Sequence, residues 1–162
     1  MKWTQVTLGQ LLDANSASIQ TGPFGTQLRA SDYIEHGVPV INVRNIGFGT
    51  LKTAELEYLD QENADRLSVH LLKEKDIVFG RKGAVERHLL VSSAETGWIQ
   101  GSDCIRFRLN TPDLLPEFLS YALLHPNHQA WMIAQSGSKA TMASLNQGII
   151  GRIPLSLPPV SI

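Results

Sequence analysis

The sequence has a single cysteine, Cys104, no stretch of eighteen apolar residues and no surplus of positive charge. Each shortage excludes something. One cysteine cannot close an internal disulfide and lacks the companions of a structural zinc site, which points to a reducing compartment. Without a long apolar run there is no membrane-spanning helix to expect, and the opening MKWTQVTLGQLLDAN has no apolar core of a secretory leader, so a cytoplasmic protein is expected. Fourteen Lys and Arg against fifteen Asp and Glu give a net charge of −1, too little for indiscriminate coating of nucleic acid. Apolar residues at 43% and charged residues at 18% are ordinary for a globular chain, and no low-complexity run marks a linker. The length of 162 residues suits one unit with its own core, so one domain over 1–162 is expected.

Charge is unevenly spread. Residues 51–76 carry four cations and seven anions, which predicts an acidic face. Residues 80–109 carry five cations (Arg81, Lys82, Arg87, Arg106 and Arg108) against Glu86, Glu95 and Asp103, and beyond Leu119 only Lys139 and Arg152 are charged. These segments are candidates for a positive face.

Local signals set the elements. Thr7 is an N-cap for a helix over 8–13, and Asn15 to Ala17 break it. Gly22, Pro23 and Gly25 force a turn inside IQTGPFGTQLRAS, and Ser31 is expected to cap a helical turn closed by Gly37. VPVINVRNI, 38–46, reads as a central strand. Asp60 opens a helix over 61–72, with Ala64, Leu67 and Leu71 on one face. IVFGR, RHLLVSS and DCIRFRL are further strands. In the last of these, alternation predicts a buried face and a face that displays Arg106 and Arg108. Pro116 and Pro126 start two apolar helices, the second ending at Gly137, and place Tyr121 and Trp131 in the core. A short helix capped by Ser144 and a last strand closed by Pro158 and Pro159 complete the chain.

Catalytic motifs fail one by one. Gly47-Phe48-Gly49 has Lys52 where a dinucleotide fingerprint needs its third glycine, and Gly22 to Gly25 lacks the Gly-Lys-Ser/Thr of a P-loop. Ser136 and Lys139 fit a bare S-x-x-K, but it straddles a helix end and has no partner motif. His125 and His128 are separated by the helix-starting Pro126, with no third ligand in sight. Leu157-Pro158-Pro159-Val160 shares only its prolines with the Asx-Pro-Pro-aromatic loop of amino-methyltransferases.

What remains is a recognition inventory in three loops, at 20–29, 80–88 and 136–146. Arginine presents a fork to guanine or phosphate, Gln and Asn pair with adenine, and Ser, Thr and glycine N–H groups reach phosphate oxygens. The candidates are Arg81, Lys82, Arg87, Gln20, Thr21, Gln27, Ser138, Lys139, Thr141 and Asn146. For each loop, plain turn chemistry is the competing reading.

The segments IQTGPFGTQL, VPVINVRNI, KDIVFGRKGAV, GWIQGSDCIRFRL and GSKATMASLNQGIIGRIPLSLPP, in that order along nearly the whole chain, resemble a target recognition domain of a type I restriction-modification specificity subunit. The resemblance implies an α/β fold in which helices pack on a mixed, twisted, strongly curved β-sheet. It also implies sequence-specific reading of one half of a bipartite double-stranded DNA site by a module that is not itself an enzyme. S-adenosylmethionine, ATP and magnesium are then expected only in partner subunits, namely methyltransferase (modification) subunits and a motor-nuclease (restriction) subunit. Relatives of this kind continue from Leu-Pro-Pro through a Glu-Gln pair into a spacer helix, from which Val160-Ser161-Ile162 departs. The expectation is therefore one recognition domain, without spacer helices or a second reader. Within it Arg81 is expected to contact base or phosphate and Lys82 phosphate. Two roles are open to Glu86: accepting from a cytosine amino group, or orienting Arg87. A protein-binding module, and the recognition region of a fused restriction-methyltransferase enzyme, are the alternatives; salt-insensitive partner binding marks the first and flanking catalytic sequence the second.

Overall fold

The computed structural model describes residues 2–83, 85–137 and 144–159. It has ten strands and five α-helices among those residues, joined by short 3-10 turns. Strand β1 (Thr4–Thr7) pairs antiparallel with β10 (Pro154–Leu157), so the two ends of the described chain form one ribbon. A five-stranded sheet has the order β2 (Ala17–Thr21), β9 (Cys104–Leu109), β6 (Ile77–Gly80), β7 (His88–Leu90) and β4 (Phe48–Gly49). Its pairs are antiparallel except β4 with β7, which makes it the mixed sheet expected. A three-stranded sheet, β5 (Glu57–Leu59), β3 (Val38–Ile41) and β8 (Ile99–Gln100), lies apart from it in hydrogen bonding. The strands thus divide among three sheets.

Several helix boundaries follow from side-chain chemistry. Thr7 caps α1 (Leu8–Asp13) through a capping box with Gln10, and Asp60 caps α2 (Gln61–Arg66) by accepting from the Asn63 N–H at 2.8 Å. Prolines open α3 (Pro116–Leu123) and α4 (Pro126–Ser136), where a missing N–H costs nothing. Helix α4 ends at Ser136, before Gly137, and Lys139 of the S-x-x-K pattern lies outside the described residues.

Four expectations about the chain path are corrected. Strand β3 stops at Ile41 because Asn42 and Asn45 divert the backbone into a 3-10 turn; Asn45 Oδ1 accepts from Asn42 N–H at 3.0 Å and its Nδ2 donates to the Lys52 and Ala54 carbonyls. The helix from Asp60 ends at Arg66 and tightens to a 3-10 turn over Ser68–His70, since Leu72 N–H leaves to donate to Trp98 O. Ser31 caps nothing: the turn Ala30–Asp32 is held by the Asp32 carboxylate on the Arg29 N–H. Helix α5 (Gln147–Gly151) is capped by Asn146, not Ser144, with Asn146 Oδ1 accepting from Ile149 N–H at 2.8 Å.

Both faces of the five-stranded sheet are covered. Ile77 and Phe79 of β6 and Ile105 and Phe107 of β9 face the main core with Leu119, Leu123, Met132 and Ile150 from the helices. Val78, Leu89 and Cys104 face the other way, onto Ile41, Ile46 and Leu72. The face expected to display arginine is therefore buried too. Arg106 donates to Val69 O, and Arg108 makes a two-bond contact with Asp76, which is only 1% exposed. Arg106 and Arg108 leave the positive face, and Asp76 leaves the acidic one. Period-two alternation registers two faces; it does not say what covers the second.

Cys104 is fully buried, its thiol donates to Ile41 O at 3.3 Å, and burial pushes its pKa up to about 12. No described helix is long and apolar enough to cross a membrane. Trp131 packs against the core as expected, whereas Tyr121 is 79% exposed on the outer side of α3. The contacts of His125 and His128 are structural: His125 Nδ1 accepts from Asn127 N–H as the α4 cap, and His128 Nε2 lies 2.7 Å from Pro154 O.

Candidate nucleic-acid interface

The site is built on the connection between β6 and β7. Because Phe79 pairs with His88, the connection leaves and re-enters the five-stranded sheet at one end as a projection, although Val85 turns back into the main core. Arg81 and Lys82 stand at the start of that projection and Arg87 at its end.

The other two recognition loops are fastened to it. The Arg81 carbonyl accepts from Leu145 N–H, in the last of these loops, and the Arg81 N–H donates to Asp103 O just before β9, each at 2.6 Å. Lys82 forms a β-bridge with Ser144, which brings the segment before α5 alongside. Gln147 Nε2 donates to Thr21 Oγ1 at 2.9 Å, tying α5 to the end of β2. The loop after β2 is then seated by Gly22, whose N–H donates to Cys104 O. A Cβ at Gly22 would stand 1.9 Å from the Gly101 carbonyl oxygen, so only glycine lets these strands approach so closely. Loops distant in sequence thus meet at one edge of the sheet.

The side chains divide into those free to face a ligand and those already engaged. Arg81 and Arg87 form no ion pair among the described residues; their guanidinium carbons lie 5.6 Å from the ring centre of Phe24 and 5.2 Å from that of Phe48. Lys82 Nζ lies 3.8 Å from Asp103 Oδ1, both about half exposed, a contact that water and salt readily exchange. Thr21 is held by Gln147, and Gln20 Nε2 donates to the Thr21 carbonyl. Gln27 Oε1 accepts from Phe24 N–H at 3.0 Å and so shapes the turn it belongs to. Asn146 is committed to its cap through Oδ1. Ser138, Lys139 and Thr141 lie outside the described residues. Glu86 makes no ion pair with Arg87 among the described residues, and Phe48, not Glu86, is what Arg87 lies against.

Two parts of this surface went unread in the sequence: the exposed rings of Phe24 and Phe48. Each stands between glycines, in GPFG and GFG, and that flanking was the available signal. Among the described residues no group of three His, Cys, Asp or Glu side chains is placed to hold a metal ion. The chemistry offered is that of planar cationic forks, an ammonium group and amide or hydroxyl edges around one protrusion.

A mixed five-stranded sheet, with helices on one face and loops gathered at one edge, defines an α/β fold seen before among DNA-modification systems. Three solved structures share it. One is the S subunit of a type I restriction-modification system from M. genitalium, at 16% identity and a TM-score of 0.63 over 96% of this chain and 35% of that one. A second belongs to work on complex assembly and conformational transition of the type I R-M system, at 17% identity and a TM-score of 0.64 over 98% of this chain and 34% of that one. The third is the HsdS subunit from Thermoanaerobacter tengcongensis, at 16% identity and a TM-score of 0.60 over 98% and 34%. The chain thus has the fold of one portion of type I S subunits and spans about a third of their length. No protein-family profile matches the sequence, and no curated protein does.

Proposed function

We propose that this chain is a DNA-reading module of the type I restriction-modification kind, which binds one half-site of a double-stranded target and does no chemistry itself. The observation that carries this reading is the gathering of Arg81, Lys82 and Arg87 on one protrusion, with the segment before α5 bonded to it and the Phe24 ring of the loop after β2 lying against Arg81. A chain of net charge −1 holds these cations where a duplex groove or backbone can meet them together. The fold shared with S subunits supports the same reading, and by that likeness the partners are methyltransferase and motor-nuclease subunits. S-adenosylmethionine, ATP and magnesium then belong to those partners, in a cytoplasmic assembly.

Within the site, Arg81 reads a base edge or phosphate, Lys82 exchanges Asp103 for a phosphate, and Arg87 supplies a second fork. Gln20, Thr21, Gln27 and Asn146 chiefly hold the loops in place, since their side chains already make local bonds. Ser138, Lys139 and Thr141 complete the proposed surface.

The test is an NMR titration with duplex DNA at low and moderate salt, following amides of 19–29, 80–88 and 136–146. Salt-sensitive shifts confined to those loops are expected; none at low salt would remove the reading. Lys82→Gln should weaken all duplexes alike and lower the salt slope by about one, whereas Arg81→Ala should cost roughly 1–3 kcal/mol on the cognate half-site. Equal losses for Arg81→Ala on cognate and scrambled duplex would strip Arg81 of base reading.

A further inference from the structure

The DNA-reading proposal leaves two exposed phenylalanines without a role. Phe24 is 57% exposed and Phe48 44% exposed, so neither is placed by burial of its ring in the core. Their positions come from backbone instead. Phe24 lies in Gly22-Pro23-Phe24-Gly25, where Gly22 is wedged against Gly101 and the Phe24 N–H is held by Gln27 Oε1 at 3.0 Å. Phe48 lies in Gly47-Phe48-Gly49, closed by the Gly47 N–H on Thr50 O at 2.8 Å, with Gly49 at a φ of 75° that other residues rarely adopt. Strand β4 is only two residues long, and its pairing of Phe48 with His88 sets the ring beside the end of the β6–β7 protrusion.

Each ring lies against one arginine of that protrusion, Phe24 against Arg81 and Phe48 against Arg87. The two loops that supply the rings are unrelated in sequence position, yet they make the same arrangement twice. An arginine on a flexible stem loses side-chain entropy when it meets DNA, and one already laid on an aromatic face has lost part of it beforehand. Contact with a ring consumes none of the guanidinium N–H groups that make paired bonds to guanine or phosphate, although Arg87 Nε is itself buried and has no hydrogen-bond partner among the described residues.

We infer that the two glycine-flanked Phe turns are platforms that pre-set Arg81 and Arg87 for duplex DNA, so that Phe24 and Phe48 are positioning residues of the interface. This rests on the DNA-reading proposal. The rings act through the arginines and need not touch the bases.

The experiment compares wild type with Phe24→Leu, Phe48→Leu, the pair together, Arg81→Gln, and Phe24→Leu combined with Arg81→Gln, using fluorescence anisotropy with a random-sequence duplex across a salt series. Leucine keeps an apolar side chain on an exposed position, so thermal melts should coincide with wild type. Each leucine variant should bind about two- to five-fold more weakly, the range of an exposed cation–ring contact, with an unchanged salt slope because no charge is lost. The pair should lose roughly the product of the two. Arg81→Gln should lower the slope by about one, and Phe24→Leu should add nothing in that background. Phe24→Tyr should restore wild-type binding, and the Arg81 Nε–H resonance should move in Phe24→Leu without DNA present.

Leucine variants that bind like wild type, while wild type binds well, would overturn the platforms and leave the DNA reading standing. A full further loss from Phe24→Leu in the Arg81→Gln background would also overturn them, because the ring would then be stacking on DNA directly. Failure of wild type to bind any duplex at low salt would overturn the DNA reading, and the platforms with it.

Discussion

Replacing Arg108 by methionine is expected to destabilise the fold by about 3–5 kcal/mol, because it strands a buried carboxylate. Asp76 is 1% exposed and accepts from Arg108 Nε at 2.7 Å, from Arg108 Nη2 at 2.8 Å and from the Lys73 N–H at 2.8 Å. Arg108 Nη2 also reaches the Leu71 carbonyl. The pair therefore clamps the segment around 71–76 onto the second face of β9. Asp76 immediately precedes β6, so the clamp fixes the strand that leads to Arg81. Removing both charges, as in Arg108→Met with Asp76→Leu, should recover most of the loss, since a buried pair contributes little beyond an apolar pair of similar volume. Urea denaturation measures both variants. A midpoint shift for Arg108→Met worth under about 1 kcal/mol would mean that Asp76 finds water or another donor once the arginine is gone.

The same pair shows where the sequence stops being informative. Arg106 and Arg108 alternate with Ile105, Phe107 and Leu109 as they would on a half-exposed strand, and only the covering of the second face by residues from 69 to 76 makes them interior. That covering is a long-range contact with no local signature. Local chemistry, by contrast, was legible: Thr7, Asp60, Pro116 and Pro126 start helices where capping rules put them. It misled where two local signals competed, as at 42–45, where asparagine amides outweighed β-branched neighbours. For the site, residue type was readable and engagement was not. Glycine-hinged loops with cations marked the candidate segments, but no spacing rule says that Asn146 is held by its cap, that Gln27 shapes its own turn, or that Arg81 lies against Phe24. Tyr121 reverses the error: an apolar helix placed it inside, and its face of α3 points outward.

Acid is expected to destabilise the fold through His88 between about pH 6.5 and 4. His88 is 1% exposed, and its surroundings are apolar or neutral: Ser120 Oγ of α3 at 2.7 Å from Nε2, the tilted ring of Phe79, and Gly49 of β4. Burial lowers its pKa from the usual 6.5 to about 4, and His70 is lowered in the same direction, again chiefly by burial. The unfolded chain then binds more protons than the folded chain between pH 6.5 and 4, so stability is complete above the unfolded value and falls as the pH drops through this window. From pH 7.5 to 5.0, His88 alone should remove about 2 kcal/mol, and below its folded pKa its contribution no longer changes. His88→Gln keeps a side chain able to bond Ser120 but has no proton to gain, so the wild-type slope should flatten by about that amount while the His70 part persists. Urea midpoints at the two pH values for both proteins decide it, and equal slopes would mean that His88 is charged or hydrated in the native state. The location gives this a functional edge. His88 follows Arg87 in the chain and pairs with Phe48 across β7 and β4, so protonation weakens the pairing that seats the Phe48 ring beside the second arginine. Because folded His88 stays neutral down to about pH 4, duplex binding that depends on Arg87 should persist to near that pH in protein that remains folded and fail below it.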